Sequence, residues 1–304
     1  MTLSVVITTY CRPEGLRATL ESVAAQTRQP DQLVICDNAS PDHTPEVAES
    51  FRERFPNFIY HRHPENIGMP GNLNAAVGHA TGDIVVNLHD ADTYDSTLLQ
   101  KVEAAFASHP SAGLVFWDQA AKHHLRGHLP SFAKGRDFFE HFYLLQYKSF
   151  IWGTVGARRT LYDELLPFDP QFGGWADVDM WMRMLRRADI VHLHEPLMHL
   201  HDGGEFRAFN FQKPLRIQRM IFLNIFRFYQ GEPEKLRTAL KGQLRLMRYR
   251  WCCHMLSQLR RGKVGLLQQG LRLAPEFFQV PQFPPEVIEQ KHLRQSPAFA
   301  PEAQ

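Results

Sequence analysis

The sequence is poor in cysteine and has no long apolar run. Its 304 residues include four cysteines, none in a CxxC pair, and Cys252 and Cys253 are adjacent, a poor geometry for an ordinary disulfide. These features argue against a disulfide framework and a thiolate zinc site. No stretch approaches the ~20 apolar residues of a membrane-spanning helix. Strand-like residues begin almost at Met1, where a signal peptide would start. We therefore expect reduced thiols and a cytoplasmic protein.

Charge of one sign is not in excess overall, because the formal net charge is only +2, but the basic residues are unevenly placed. Residues 207–263 contain 14 lysines and arginines against two acidic residues, Glu232 and Glu234. The rest of the chain holds 20 basic and 30 acidic residues, so the two parts carry opposite net charge. This asymmetry predicts two regions, 1–204 and 205–304, with different roles.

Short apolar runs alternate with amphipathic stretches through the first two thirds of the chain. The runs that predict buried strands lie at 3–9, 32–36, 58–60, 83–88 and 113–117. Strands that alternate with helices across short turns predict the α/β class, with a mostly parallel sheet flanked by helices. We expect this region to divide into 1–117 and 118–204, followed by basic helices and a loosely ordered tail in 205–304.

Two carboxylates, in Asp90-Ala-Asp92, follow the strand predicted at 83–88. Parallel sheets bind ligands at the carboxyl ends of their strands. Two carboxylates two residues apart at such an end can hold one Mg²⁺ or Mn²⁺ ion, which shares its coordination shell with phosphate oxygens. The alternative is a solvated turn whose carboxylates cap a helix. His89 is either an outer partner of the ion or a strand-end histidine.

Asp37 and Asn38 end the second predicted strand, at the same edge of the sheet. A carboxylate in this position can accept a hydrogen bond from the imide N–H of uracil, or from an amine of another base. An Asx turn that closes the strand is the competing interpretation.

Two further carboxylates, Asp177 and Asp179, lie on a predicted helix that also carries Trp175 and Trp181. In a partly apolar setting either carboxylate can have a raised pKa and act as a general base. Capping of the helix start is an equally plausible role for both. The two tryptophans could form a stacking surface for a sugar ring, although the helical spacing of Trp181 with Leu185 is more typical of the core.

His199 and His201 alternate near the end of a late strand, so their side chains point the same way and could join a metal site. Histidines in such a setting are usually structural. No third ligand lies nearby in sequence, so a zinc site would have to be assembled from distant residues.

Taken in chain order, these segments resemble the family 2 glycosyltransferases, which have the GT-A nucleotide-sugar fold. The matching segments are Ser4-Val-Val-Ile-Thr-Thr-Tyr10, Leu20 to Thr27, Val34 to Ser40, Asn66-Ile-Gly68 with Asn74, Ala80 to Asp92, and Pro167-Phe-Asp169 through Arg183. They cover about residues 3–204. Each segment is a weak signal alone, but their order and spacing together are typical of the family.

The resemblance implies a role for each matching residue. The residues implied to line the nucleotide pocket are Thr8, Tyr10, Asp37, Asn38, Asn66, Gly68 and Asp90. Those implied to serve the metal are Asp90, Asp92 and His201, with Asp92 the more direct ligand. Asp177 would be the catalytic base, with Asp179 as the runner-up, and Trp175 and Trp181 would lie on the acceptor side.

Two positions depart from the family pattern. Ala176 stands where the glutamate of an "ED" pair is usual, which leaves the position of the base less certain. Leu73 stands where many members have an arginine before the residue matching Asn74, and Arg12 could supply the missing cationic contact.

The activity implied is inverting transfer of a sugar from a nucleotide sugar to a saccharide or lipid-linked acceptor, with Mn²⁺ or Mg²⁺ as cofactor. A UDP-sugar is the expected donor because Asp37 suits uracil, and bacterial surface polysaccharide or lipopolysaccharide synthesis is the pathway expected by analogy. The alternative is a catalytically inactive nucleotide-sugar-binding module of the same fold. A nucleotidyltransferase is disfavoured because residues 8–13 lack a glycine-rich basic loop.

The basic segment 207–263 allows two interpretations. Its helices either pack on the catalytic domain or place a basic face on the anionic inner surface of a membrane, near a lipid-linked acceptor. No nucleic-acid-binding motif accompanies the charge, so nucleic acid is not an expected partner.

Overall fold

The computed structural model describes residues 1–121, 129–143, 154–200 and 210–290. The chain forms two compact units, Met1–Glu205 and Phe206–Gln304. Among these residues, the first unit contains the β-sheet and the second is built from helices.

Four parallel strands form one half of the sheet. They are β1 (Leu3–Thr9), β2 (Gln32–Asp37), β3 (Phe58–Arg62) and β4 (Ile84–His89), in the spatial order β3-β2-β1-β4. The accompanying helices are α1 (Pro13–Ala24), α2 (Thr44–Glu49), α3 (Gly68–His79) and α4 (Leu98–Ser108). Almost every residue of β1, β2 and β4 is buried. Their sequences are therefore continuous apolar runs, as expected for strands covered on both faces.

The other half of the sheet mixes directions. Its strands are β5 (Asp92–Tyr94), β6 (Ala112–Gln119), β7 (Phe132–Ala133), β8 (Val155–Arg158) and β9 (Asp189–Leu200). β8 lies antiparallel between β4 and β6, β9 runs parallel to β6, and β5 and β7 pair antiparallel with β9. β6 and β9 therefore run in the same direction as β1 to β4, and only β5, β7 and β8 among the described strands run the opposite way. The predicted α/β class with a mostly parallel sheet flanked by helices is confirmed.

β9 is a long strand that contains a proline. Proline cannot donate a hydrogen bond to a β-ladder, so within strands it is found mainly at edges and bulges. Pro196 lies at such an irregularity, where the register of β9 against β6 shifts between the pairs that Trp117 and Asp118 make. Such shifts are β-bulges, which disrupt the ladder locally and allow a residue without an N–H donor to remain in a strand.

Short helical segments complete the first unit. Among the described residues these are α5 (Gly135–Phe138), a π-helical turn (Phe139–Tyr143), α6 (Arg159–Leu165), a 3₁₀ segment (Pro170–Trp175) and α7 (Ala176–Leu185). All residues of α7 are buried, including its charged ones. Buried charges must be paired or serve a site, so α7 is a helix in which polar residues have specific partners.

The second unit contains α8 (Gln212–Phe228), α9 (Pro233–Arg260), α10 (Val264–Phe277) and α11 (Pro285–Ile288). The predicted helical character of the C-terminal region is confirmed. α9 and α10 approach closely at Gly270, where a Cβ atom would lie 2.3 Å from the sulfur of Met255. In the part of the chain that the structure describes, no helix is both long and apolar enough to cross a bilayer.

Candidate functional site

The carboxyl ends of β1, β2 and β4 meet at one edge of the sheet and bring the predicted site residues together. Thr8 of β1 pairs with His89 of β4, and Thr9 pairs with Asp37 of β2. The residues that follow these strands, among them Asp90, therefore leave the sheet side by side. This is the edge at which open α/β sheets bind their ligands.

The turn that carries Asp90 and Asp92 is held against α1. The Thr19 hydroxyl donates a hydrogen bond to the carbonyl oxygen of Asp92 over 2.7 Å. Gly15 lies directly beneath the turn, where a Cβ atom would be only 2.6 Å from the carbonyl oxygen of Asp90. Only glycine permits this approach, so α1 fixes the backbone of the turn.

The two carboxylates of the turn are buried and have different cationic neighbours. Arg12 Nη1 lies 3.6 Å from Asp90 Oδ1, and His89 Nδ1 lies 3.4 Å from Asp92 Oδ2. Burial raises the pKa of Asp90, although the charge of Arg12 opposes the rise. Arg12 therefore lies beside the carboxylates predicted to hold the metal ion, and the sequence suggested this arginine as a compensating cation.

The pKa of His89 is raised by the carboxylates around it. Burial acts to lower its pKa, but the hydrogen bond to Asp92 and the charges of Asp92, Asp177 and Asp90 outweigh burial and raise it. The His89 backbone N–H donates to the Tyr94 hydroxyl over 2.8 Å. His89 is thus an electrostatic link between the Asp90–Asp92 turn and Asp177.

Asp177 stands at the start of α7 and faces this cluster. Its carboxylate accepts a hydrogen bond from the Val178 N–H over 2.6 Å and is almost fully buried. Burial raises the pKa of Asp177 against the opposing positive charge of His89. A carboxylate with a raised pKa is a stronger proton acceptor than an ordinary aspartate, as a general base requires.

The runner-up, Asp179, has a different environment. It is fully buried, and its Oδ2 lies 2.9 Å from Arg183 Nε. Arg183 also donates hydrogen bonds to the carbonyl oxygens of Leu165 and Pro167. The geometry therefore favours Asp177 as the base, because Asp179 is engaged in a buried ion pair that braces α7.

Asp37 is also more enclosed than its predicted role requires. Oδ1 accepts hydrogen bonds from the N–H and hydroxyl of Ser40, and Oδ2 accepts one from the Tyr60 hydroxyl over 2.8 Å. Arg62 Nε lies 3.8 Å from Oδ2. These bonds hold the Asp37 carboxylate in a local turn at the end of β2, a structural role like the one that competed with base binding in the sequence. Direct contact between Asp37 and a base stays a prediction, and it would require one of these bonds to be exchanged.

The other predicted nucleotide residues line the same edge. Asn38 donates to Asn66 Oδ1 over 2.9 Å and accepts from the Ile67 N–H, so the loop before α3 is tied to the end of β2. Gly68 begins α3 with a positive φ of 78°. Beside them, Tyr10 is exposed and Thr8 is half-buried. This edge of the sheet therefore has an exposed residue, Tyr10, next to backbone that the Asn38 hydrogen bonds hold in place.

The two tryptophans predicted for the acceptor side are in different places. Trp181 is fully buried and makes edge-to-face contacts with Tyr162 and Phe168, so it cannot stack on a sugar, and its predicted acceptor role is wrong. Its helical spacing with Leu185 reflected core packing. Trp175 is half-buried just before Asp177 and remains a candidate for acceptor contact. His201 lies outside the described residues, and its metal role stays a prediction.

Sequence reasoning missed the residues that hold the site. Thr19 and Gly15 support the Asp90–Asp92 turn, and Ser40 and Tyr60 bind Asp37. Ser40, three residues after Asp37, is the one with a sequence signal, because aspartate and serine close together after a strand favour local turns closed by side-chain hydrogen bonds. The others become neighbours only when the sheet forms.

Comparison with known proteins places the chain among sugar-transferring enzymes. The family model described as Glycosyl transferase family 2 matches residues 4–166. An uncharacterised glycosyltransferase of Nostoc sp. is 30% identical over 115 residues, which is 38% of this chain and 36% of that protein. The glucosyl-dolichyl phosphate glucuronosyltransferase of Haloferax volcanii is 29% identical over 117 residues, covering 38% of this chain and 37% of that protein. The chain thus matches about a third of the length of each.

Solved structures share the fold. S. aureus TarS 1-349 in complex with UDP superposes with a TM-score of 0.60 at 19% identity, over 77% of this chain and 68% of that one. The mannosyltransferase PcManGT from Pyrobaculum calidifontis, in complex with GDP-Man and Mn²⁺, gives 0.56 at 17% identity over 90% and 85%. At identities this low the superpositions show a shared fold and no more, and that fold is the GT-A fold expected from the sequence.

Proposed function

Because the chain belongs to glycosyl transferase family 2, we propose that it moves a sugar from a UDP-sugar to a saccharide or lipid-linked acceptor, with inversion at the anomeric carbon. The observation that carries the proposal is the position of Asp177. This buried carboxylate lies within electrostatic range of His89, which ends β4 and whose Nδ1 is 3.4 Å from Asp92 Oδ2.

Asp177 takes the role of general base. The acceptor hydroxyl oxygen forms a bond to the anomeric carbon while the bond to the diphosphate oxygen breaks, and Asp177 accepts the hydroxyl proton. The electron pair leaves with the nucleoside diphosphate. One base suffices because the leaving group is already an anion, whereas glycoside hydrolysis needs two carboxyl groups.

The turn fits a divalent cation. Asp90 and Asp92 place two buried carboxylates next to each other, and Asp177 adds a third nearby. Burying several carboxylates together is unfavourable unless positive charge accompanies them. Asp90 and Asp92 would hold Mn²⁺ or Mg²⁺, which supplies Lewis-acid stabilisation of the departing diphosphate. Arg12 and His89 add positive charge from the protein itself.

The donor can be identified by ligand-induced stabilisation. We expect one nucleotide among UDP, GDP, dTDP and CDP to raise the melting temperature only when Mn²⁺ is present, because a ligand that binds only the folded state stabilises it. At 100 times Kd the gain is about 2.7 kcal/mol, roughly 4 °C for a protein of this size. UDP is the expected responder, since TarS was solved with UDP, although PcManGT was solved with GDP-Man.

The same screen separates transfer from the alternative of an inactive module. Ala176 and Leu73 depart from the family pattern, and both side chains are buried. An active enzyme releases nucleoside diphosphate from the donor sugar when saccharide acceptors are supplied. Stabilisation by the donor without turnover on any acceptor would favour the inactive module, and no stabilisation by any nucleotide would refute the donor site itself.

An exposed surface of α9 that combines basic and apolar residues supports the proposal of a lipid-linked acceptor. Residues 235–275 hold ten lysines and arginines and no acidic residue. One exposed stripe of α9, the membrane-facing stripe, follows helical spacing through Lys241, Arg245, Tyr249, Cys252, Leu256 and Arg260. Its apolar centre is open to solvent, with Tyr249 68% and Leu256 53% exposed. Basic residues together with exposed apolar side chains can bind an anionic lipid surface.

Vesicle flotation tests this surface. We expect the protein to float with vesicles containing phosphatidylglycerol at low salt and to remain in solution with phosphatidylcholine alone. Reversing Lys241, Arg245 and Arg260 to glutamate should weaken binding at least about 100-fold, from roughly 1 kcal/mol for each basic residue near the surface. The matched control reverses exposed Arg17, Arg52 and Arg54 of the first unit and changes the net charge equally. Equal loss in both variants would refute a specific surface.

A further inference from the structure

A second cluster of metal-binding side chains lies on β6 and β9. It consists of Asp118, His192 and His194, each of which offers one ligand atom, and these atoms all lie within 4.8 Å of one another. His192 Nε2 is 2.7 Å from Asp118 Oδ1, and the two histidine rings have centroids 3.9 Å apart. Asp118 and His192 are buried, whereas His194 is partly exposed.

The local strand geometry creates this cluster. Trp117 pairs with Leu193, but the next residue of β6, Asp118, pairs with Pro196, so the strand β9 gains extra residues at this point. Bulges of this kind re-aim side chains and are frequent near functional sites. Here His194 is one of the bulged residues. Phe116 stacks on the His192 ring at 4.3 Å between centroids and holds it in place.

The composition of the cluster indicates its ligand. Two imidazoles and one carboxylate are the ligands that zinc and neighbouring transition metals take in proteins, whereas Mg²⁺ and Ca²⁺ prefer oxygen ligands only. If the only role of Asp118 were to form a hydrogen bond with His192, one histidine would be enough. The second imidazole, brought to the same point by the bulge, completes a three-ligand set.

From these contacts we infer that Asp118, His192 and His194 bind one transition-metal ion of the Zn²⁺ type. Three protein ligands leave a fourth position for water, on the side where His194 reaches the surface. The ion would join the carboxyl end of β6 to the bulge of β9. It would thereby stabilise the end of β9, where Leu200 pairs with Asp92. This inference stands whether or not the proposed transferase activity is correct.

The inferred site is separate from the Asp90–Asp92 turn. Along β9, Asp118 pairs with Pro196 and Asp92 pairs with Leu200, four residues further on. Four strand residues span about 13 Å, too far for one ion to bind both groups. The two sites also differ in chemistry, because one offers carboxylates and the other offers mainly imidazoles.

Metal analysis of the untagged full-length chain tests the inference. The protein is stripped with EDTA, supplied with Zn²⁺, separated from free metal by gel filtration and analysed by elemental mass spectrometry. We expect one zinc per chain. The partly exposed His194 should tolerate replacement, so His194→Ala should keep the fold and weaken zinc binding at least about 100-fold, since loss of even an outer partner costs 10–100-fold.

Two controls make the result specific. His199→Ala removes an exposed histidine from the same strand and should retain the zinc. A double Asp90→Asn, Asp92→Asn variant should also retain it, which separates this site from the proposed catalytic ion. Asp118→Asn, which keeps the shape of the side chain, should lose zinc together with His194→Ala. Absence of zinc from the wild-type chain, or equal zinc in the wild-type, His194→Ala and Asp118→Asn proteins, would overturn the inference.

Discussion

Replacing Asp177 by asparagine is expected to lower sugar transfer about 10²–10⁴-fold, which is the usual contribution of a general base. Asparagine has the same shape and can still accept the hydrogen bond from the Val178 N–H, so the start of α7 should be preserved. It cannot accept the proton of the acceptor hydroxyl. Removing a carboxylate whose pKa is raised by burial also relieves a desolvation cost, so the melting temperature should not fall.

Two quantities are measured for each variant: the nucleoside diphosphate released from the donor in the presence of acceptor saccharides, and the rise in melting temperature with nucleotide and Mn²⁺. Asp177→Asn should lose the release of nucleoside diphosphate and keep the rise in melting temperature. Asp163→Asn, at an exposed ion pair on α6, is the matched control and should keep both. Asp179→Asn should instead lower the melting temperature, because it breaks a buried ion pair at a cost of about 3–5 kcal/mol. Near wild-type transfer in Asp177→Asn would refute its role as the base.

Replacing Asp92 by alanine should abolish the stabilisation that nucleotide and Mn²⁺ give together. The side chain of Asp92 is the more direct of the two proposed metal ligands, and its removal leaves Asp90 to hold the ion alone. The backbone carbonyl of Asp92, which accepts the Thr19 hydrogen bond, is unchanged by the substitution, so the turn should keep its position. The expected loss is the whole nucleotide-dependent rise in melting temperature.

Thermal melting of the variant with nucleotide, Mn²⁺, both and neither checks this expectation. Glu53→Gln, at an exposed position away from the site, serves as the control that also removes one negative charge. A rise of wild-type size in Asp92→Ala would mean that the metal and diphosphate bind elsewhere. A rise lost in both variants would point to general electrostatics rather than to a ligand at the turn.

The strand and helix order was predictable because it depends on local patterns. The buried strands β1, β2 and β4 are continuous apolar runs in the sequence, and the polar residues that follow them could be assigned to one edge from topology rules alone. The sequence alone therefore assigns Asp37, Asp90 and Asp92 to the same edge of the sheet.

The environment of each side chain was not predictable in the same way. Asp179 and Arg183 are four residues apart on one helix, a spacing that favours an ion pair, but the sequence could not show that this pair lies in the buried interior. Tryptophan is a residue type that often stacks on sugars, but Trp181 is fully buried in the core, and its burial could not be read from the residue type. The bulge that directs His194 toward His192 depends on pairing with β6, which is distant in sequence.

The contact between α1 and the Asp90–Asp92 turn has a consequence for ligand affinity. Where a binding loop is mobile, ordering each backbone residue costs about 1–2 kcal/mol, and that cost is subtracted from the binding energy. Gly15 and Thr19 hold this turn before any ligand arrives. If the turn holds the metal and diphosphate as proposed, binding needs little reorganisation of the turn itself, and more of the interaction energy remains available to distinguish the departing diphosphate from the intact donor.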